Sequence, residues 1–249
     1  MIPKIIHYCW FGDSPMPNDQ KKFVEGWHKL LPEYEFKLWN ESNFDINIVP
    51  FTQQVAKAKK WGFIVDYIRA YAIYNYGGIY IDTDVELLKS LDDLLTSNIC
   101  FSGFENESLG KYYIAPGLIF AGEKKSVIAK KLMDYYSDYN FIGKDGKLSM
   151  LTSPLIISNI LLEHGLKLDN TYQELGEFTA YPNDYFCPMD KDKKIHITQN
   201  TYSIHYYAAS WSTAWMKIKT KIKKIINNTK IGKTLYTTFL IIKYREKHK

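Results

Sequence analysis

The stretch Tyr76-Gly77-Gly78-Ile79-Tyr80-Ile81-Asp82-Thr83-Asp84 constrains this chain more than any other. A long helical pattern runs into two glycines, and glycine ends helices because it enters the left-handed backbone without a Cβ penalty. Three β-favouring residues follow, then two aspartates with one residue between them. Alternate residues of a strand face one way, so extension beyond Ile81 predicts Asp82 and Asp84 on one side and Thr83 on the other. Carboxylates that close repel each other unless a cation lies between them. Oxygen ligation suits Mg²⁺ or Mn²⁺. The order helix, strand, acidic pair predicts a metal–diphosphate site at the C-terminal end of a central strand, where α/β sheets bind ligands. A second copy of the pattern, Asp190-Lys191-Asp192, has no apolar strand before it and reads as a solvated loop.

The rest of the chain alternates strand and helix. Residues 2–9 read as a buried strand. The Pro15–Pro17 loop then opens a helix near Asn18, and Tyr34–Trp39 alternates as a second strand. Residues 52–75 form the longest helical pattern, with a break expected at Gly62. Further strands are expected at 99–104, within 112–121 and at 202–207, while 178–186 and 194–198 read as strands or loops near the site. Helices are expected at 91–95, 124–139 and 152–164. This alternation predicts an α/β fold with a mainly parallel sheet.

Several of these motifs together resemble the signature of glycosyltransferase family 32. They are Ile2-Pro3-Lys4-Ile5-Ile6-His7-Tyr8-Cys9-Trp10-Phe11-Gly12, Phe63-Ile64-Val65-Asp66-Tyr67-Ile68-Arg69-Ala70, and Gly77 through Asp84. That family groups bacterial capsule and lipooligosaccharide enzymes with yeast outer-chain mannosyltransferases, and clostridial glucosylating toxins share the pattern. The likeness is densest over residues 1–90, returns in patches to about 215 and is absent beyond. It implies the glycosyltransferase A fold, a Rossmann-like domain with helices on both faces of the sheet and a small antiparallel addition. It also implies retention of anomeric configuration.

Candidate residues follow from both sources. Asp84 is the first choice for direct metal ligation. The resemblance gives Asp82 the donor's ribose or sugar and the metal's shell. Asp66 and Arg69 stand three apart on an apolar helical pattern, so they share a face and are buried. A surface ion pair there is the weaker reading, and the resemblance implies donor binding. His205 precedes Tyr206-Tyr207-Ala208-Ala209-Ser210-Trp211, a spacing similar to the endings of retaining transferases. Either His205 or Ser210 completes the metal site, and Trp211 covers the phosphates. His7, Tyr8, Trp10 and Gly78, with Trp39, are candidates for holding the nucleotide, Trp10 by stacking on the base. Thr152-Ser153-Pro154 is similar to the family's Thr-Gly-Pro patch beside the sugar pocket, with serine in the glycine's place.

Charge divides the chain. The net charge is +5, yet Lys217–Lys249 holds ten lysines and Arg245 against the single acid Glu246. The remainder is therefore mildly acidic. Ile218, Ile222, Ile225 and Ile226 have helical spacing among those lysines, so a catalytic domain over 1–215 and a basic amphipathic tail over 216–249 are expected. The tail would dock on anionic lipid. No recognition motif supports nucleic acid. Three scattered cysteines, no signal peptide and no apolar run of membrane-spanning length point to a cytoplasmic protein, peripheral on the inner face of the membrane. The expected reaction moves a hexose from a nucleotide sugar, UDP-hexose ahead of GDP-mannose, to a glycan that is lipid-linked, for capsule or surface polysaccharide, with Mn²⁺ or Mg²⁺. The rival is a carbohydrate- or membrane-binding module with a structural cation.

Overall fold

A computed structural model describes residues 1–149 and 151–208. In chain order the elements are β1 (Ile5–Cys9), α1 (Asn18–Leu30), β2 (Glu35–Trp39), α2 (Pro50–Lys57), α3 (Trp61–Tyr76), β3 (Gly78–Tyr80), β4 (Val85–Leu87) and α4 (Asp92–Ser97). There follow β5 (Cys100–Gly103), β6 (Phe120–Gly122), α5 (Val127–Ser137), α6 (Ser153–Leu162), β7 (Gln173–Glu174), β8 (Thr179–Tyr181), α7 (Asn183–Phe186) and β9 (Ser203–His205). The expected tail, with Ser210 and Trp211, lies outside the described residues.

Local chemistry explains the boundaries. Pro50 opens α2 and Pro154 sits in the first turn of α6, where a missing N–H costs nothing. Ser126 caps α5 by accepting the Ala129 N–H. Gly77 ends α3 at φ +71°. The long helical pattern does break, but at 58–60 rather than at Gly62. Ala58 caps α2, Lys59 takes φ +51°, and Gly62 lies inside the first turn of α3. Of the two alternatives for 194–198 the loop is the one found, with a single bridge joining Met189 to Ile195.

The main sheet has the order β2-β1-β3-β6-β5-β8-β7. Five strands run one way and β6 and β7 oppose them. A separate antiparallel pair, β4 with β9, is the expected small addition. Strand alternation feeds two cores. Tyr80, Cys100 and Phe120 pack toward α2, α3, α5 and α6, whereas Ile79, Phe101 and Ala121 pack toward α1, α4 and α7. Helix α3 is apolar nearly all round, as a helix buried between sheet and helices must be, and lies against α2, α5, β1, β3 and β6.

This topology sets chemistry along one edge. Trp10 follows β1, Asp82 follows β3, and Glu105 lies just beyond β5, all at strand C-terminal ends. Gly117 precedes the opposing β6 and closes the same edge, its carbonyl accepting the Asp82 N–H at 3.0 Å.

Candidate active site

Beyond Tyr80 the chain turns instead of extending. Val85 N–H donates to the Asp82 carbonyl at 3.1 Å, closing a tight turn over Thr83 and Asp84. The two carboxylates still reach one cavity, while the Thr83 hydroxyl donates to Gln20 at 2.8 Å. The pairing of Val85 with His205 in the β4–β9 ribbon then delivers an imidazole from 121 residues away. His205 Nε2 lies 3.0 Å from Asp84 Oδ1 and 4.0 Å from Asp82 Oδ2. One ligand atom from each of Asp82, Asp84 and His205 falls within 4.8 Å of the others. Two carboxylates and an imidazole suit Mn²⁺, which tolerates a nitrogen among oxygens, better than Mg²⁺.

The surroundings hold the two acids differently. Asp84 Oδ2 accepts the Ala208 N–H at 2.8 Å. Burial works against the Asp84 charge, but the bond and charge of His205 outweigh it, and its pKa falls. Asp82 moves the other way: burial raises its pKa, Arg69 opposes and the neighbouring Asp84 adds to the rise. For His205, burial disfavours the imidazolium, yet Asp84, Asp82 and Glu105 overcome it and the pKa rises. His205 Nδ1 is buried without a hydrogen-bond partner among the described residues.

Asp66 and Arg69 share a helix face as expected, at 6% and 4% exposure, so this is no surface ion pair. The guanidinium is a hub. Nη2 lies 3.4 Å from both Asp66 Oδ1 and Asp82 Oδ1, and Nη1 donates to Ser153 Oγ at 3.1 Å. Its Cζ sits 4.9 Å from the centre of the Tyr80 ring, whose hydroxyl donates to Asp82 Oδ1 at 2.7 Å. Burial lifts the Asp66 pKa to about 6 against the pull of Arg69.

These groups wall a cavity of about 470 Å³. Its β1 end is aromatic: Trp10, Phe11 and Trp61, the last two stacked with centroids 6.2 Å apart. His7, Tyr8, Trp39 and Gly78 are not in that wall. His7 is fully buried, with Nε2–H donating to the Gly77 carbonyl at 2.8 Å and Nδ1 accepting from Trp39 Nε1 at 3.2 Å. Tyr8 packs edge-on against Trp27, and Gly78 at φ +105° has no room for a Cβ beside the Ile5 carbonyl. His7, Trp39 and Gly78 hold β1, β2 and β3 together and Tyr8 packs against α1, so none of the four faces the cavity. Ser210 and Trp211 lie outside the described residues.

Sequence reading did not single out Glu105, Gly117, Tyr207 or Trp61, which all line the cavity. Glu105 did carry a signal: like Asp82, it is an acid directly after an apolar strand. Gly117 carried none, since its importance is a contact. A Cβ there would lie 3.0 Å from Asp82 Cγ.

Residues 17–100 match the family described as a glycosyltransferase sugar-binding region containing a DXD motif. Inositol phosphoceramide mannosyltransferase 2 of Schizosaccharomyces pombe is 34% identical over 220 residues, 85% of this chain and 58% of that protein. Inositol phosphoceramide mannosyltransferase 3 of the same yeast is 32% identical over 98 residues, 38% of this chain and 27% of that protein. The chain thus spans little more than half of one relative, and about a quarter of the other is aligned. Among solved structures, the PaToxG glycosyltransferase superposes with a TM-score of 0.52 at 18% identity, covering 65% of this chain and 69% of that one. The shared architecture is the glycosyltransferase A fold.

Proposed function

Because residues 17–100 match a glycosyltransferase sugar-binding region, we propose that this chain transfers a hexose from a nucleotide sugar to a glycan or glycolipid, with retention of anomeric configuration. The observation that carries the reading is the convergence of Asp82, Asp84 and His205 within 4.8 Å on the wall of a cavity that Arg69 also lines. These three residues would hold Mn²⁺, which supplies a Lewis acid for the charge developing on the leaving diphosphate. Arg69 fixes the Asp82 carboxylate and brings positive charge to the same wall. Asp66 accepts hydrogen bonds from the donor sugar's hydroxyls. Trp10 offers the nucleobase a flat face at the β1 end. Binding energy gathered along this cavity positions the anomeric carbon for attack.

The relatives' names favour mannose and a phosphoinositol lipid, so GDP-mannose takes precedence here over UDP-hexose as donor, and a lipid-linked acceptor gains support. The basic tail then serves to hold the enzyme on an anionic membrane, on its cytoplasmic face. No helix of the described residues is long and apolar enough to cross a membrane. The test is calorimetry of Mn²⁺ with UDP and with GDP, followed by a donor-hydrolysis screen over UDP-glucose, UDP-galactose and GDP-mannose. Asp84→Asn should weaken metal–nucleotide binding at least tenfold. Equal affinity in the variant, or glycan binding by a protein that ignores every nucleotide, would overturn the reading.

A further inference from the structure

We propose that Glu105 is the acceptor-binding residue of this site, its carboxylate receiving the hydrogen of the attacking hydroxyl at the β5 end of the cavity. The inference rests on the transfer reading above and adds a residue that it does not contain.

Strand order sets the geometry. The strands are arranged β1-β3-β6-β5 across this part of the sheet. Neighbouring strands lie about 4.8 Å apart, so β5 is roughly 10 Å beyond β3, on the side away from β1. A donor with its base at Trp10 and its diphosphate at Asp82 and Asp84 therefore extends its sugar toward β5. Glu105 stands beyond that sugar, where an incoming hydroxyl must arrive.

The side chain is aimed and unspent. Phe104 is fully buried in the core and bridges to Ile114, and Glu105 N–H donates to the Tyr113 carbonyl at 2.9 Å, so the backbone is held on both sides. Alternation then turns Glu105 toward the cavity, which it lines together with Ala115, Leu118 and Tyr207. Tyr207 engages the Cys187 sulfur at 3.1 Å. Of the four acids in the wall, Asp66 and Asp82 have Arg69, and Asp84 has His205 and the Ala208 N–H. Among the described residues, no hydrogen bond or ion pair engages the Glu105 carboxylate. Burial pushes its pKa up to about 7, with the charge of His205 opposing the rise. Glu105 is half-buried, so its carboxylate keeps acceptor capacity that a donated hydroxyl hydrogen can use.

In the transfer, the acceptor oxygen bonds to the anomeric carbon as the carbon–phosphate-oxygen bond breaks. The bonding pair leaves on the diphosphate, which takes the hydroxyl proton. Glu105 holds the hydroxyl and does not keep that proton.

Water, the smallest acceptor, makes the test independent of the natural one. Wild type, Glu105→Gln and Glu105→Asp are compared in Mn²⁺–UDP and Mn²⁺–GDP calorimetry, thermal melting, and hydrolysis of UDP-glucose, UDP-galactose and GDP-mannose. Glu105→Gln should bind nucleotide within twofold of wild type, keep its donor KM, lower hydrolytic kcat at least tenfold, and melt no lower. Glu105→Asp, which keeps the charge but draws it back by one methylene, should also lose kcat at constant KM. A raised donor KM with kcat intact makes Glu105 a donor contact and overturns the proposal. So do unchanged kinetics, or a wild type that binds nucleotide yet leaves every donor intact. A wild type that binds no nucleotide sinks the transfer reading itself, a different and recognisable failure.

Discussion

Alanine at Gly117 tests whether the position of the Asp82 carboxylate governs metal binding. Gly117 does not use the left-handed backbone region, so alanine brings no conformational penalty there and the effect is steric. The new Cβ would lie 3.0 Å from Asp82 Cγ and nearer still to Oδ2. Carbon atoms rest at about 3.5–4.0 Å, so the carboxyl must retreat by roughly 0.5–1 Å. It has little freedom to do so. Oδ1 is held by the Tyr80 hydroxyl at 2.7 Å and faces Arg69 at 3.4 Å, and the Asp82 N–H is tied to the Gly117 carbonyl itself. Overpacking of this kind costs about 1–3 kcal/mol. A retreat of that size spoils the alignment of one ligand in three, and disturbing what orients a ligand typically weakens metal affinity about 10–100-fold. Calorimetry of Mn²⁺ with nucleotide reads the second effect, and thermal melting the first. Gly26→Ala in α1 is the control, because nothing lies within 4 Å of its Cβ. It should stabilise by about 0.5–1 kcal/mol and leave metal affinity alone. A Gly117→Ala protein that melts and binds like wild type would refute the steric argument.

Other expectations can be checked on the same protein. Burial and Lys37 lower the His7 pKa from 6.5 to about 4, against the bond to Gly77, so below pH 6.5 the unfolded chain takes up a proton that the folded chain refuses. His7 therefore contributes stability that is complete above about pH 6.5, and about 3 kcal/mol of it is lost as pH falls to 4. Urea titrations of wild type and His7→Asn at both pH values should differ by that amount. Arg69→Ala strands Asp66 and Asp82 without their cation, and a loss of about 3–5 kcal/mol is expected from chemical denaturation; an unmoved midpoint would contradict the hub role. Burial disfavours the His205 imidazolium, but Asp84 and Asp82 raise its pKa, so the free imidazole keeps its proton to a higher pH than an ordinary histidine. Mn²⁺ binding should then release that proton and strengthen as pH rises, which calorimetry in two buffers of different ionisation heat detects. His205→Ala should abolish the release.

Local pattern made much of this legible. Helix α3 was readable because a mostly apolar helical pattern runs into two glycines, and Asp66 and Arg69 were readable as a buried pair because the i,i+3 spacing sits in that apolar run. The break between α2 and α3 was misplaced at Gly62, since Lys59, a residue seldom found at positive φ, makes the turn. Asp82 and Asp84 converge by a turn, where extension was expected: Val85 N–H closes on the Asp82 carbonyl, and the Asp82 N–H is held by Gly117 in the turn before β6. His7 and Tyr8 were placed near the nucleotide from their position at the end of β1, with Trp39 and Gly78 as further candidates. Pairing on both sides of β1 turned them inward.

The sequence by itself determined the elements and the chemical types available: a glycine-stopped helix, a strand, two acids, and a cation on a buried helix face. Tertiary structure decided which of those side chains meet. The register of β4 against β9 sets His205 beside Asp84, the opposing run of β6 sets Gly117 under Asp82, and the order of strands sets Glu105 across the cavity from Trp10. Propensity and periodicity act over a few residues, whereas these meetings are settled by strand pairing between segments far apart in the chain, and no short stretch of residues records its partner.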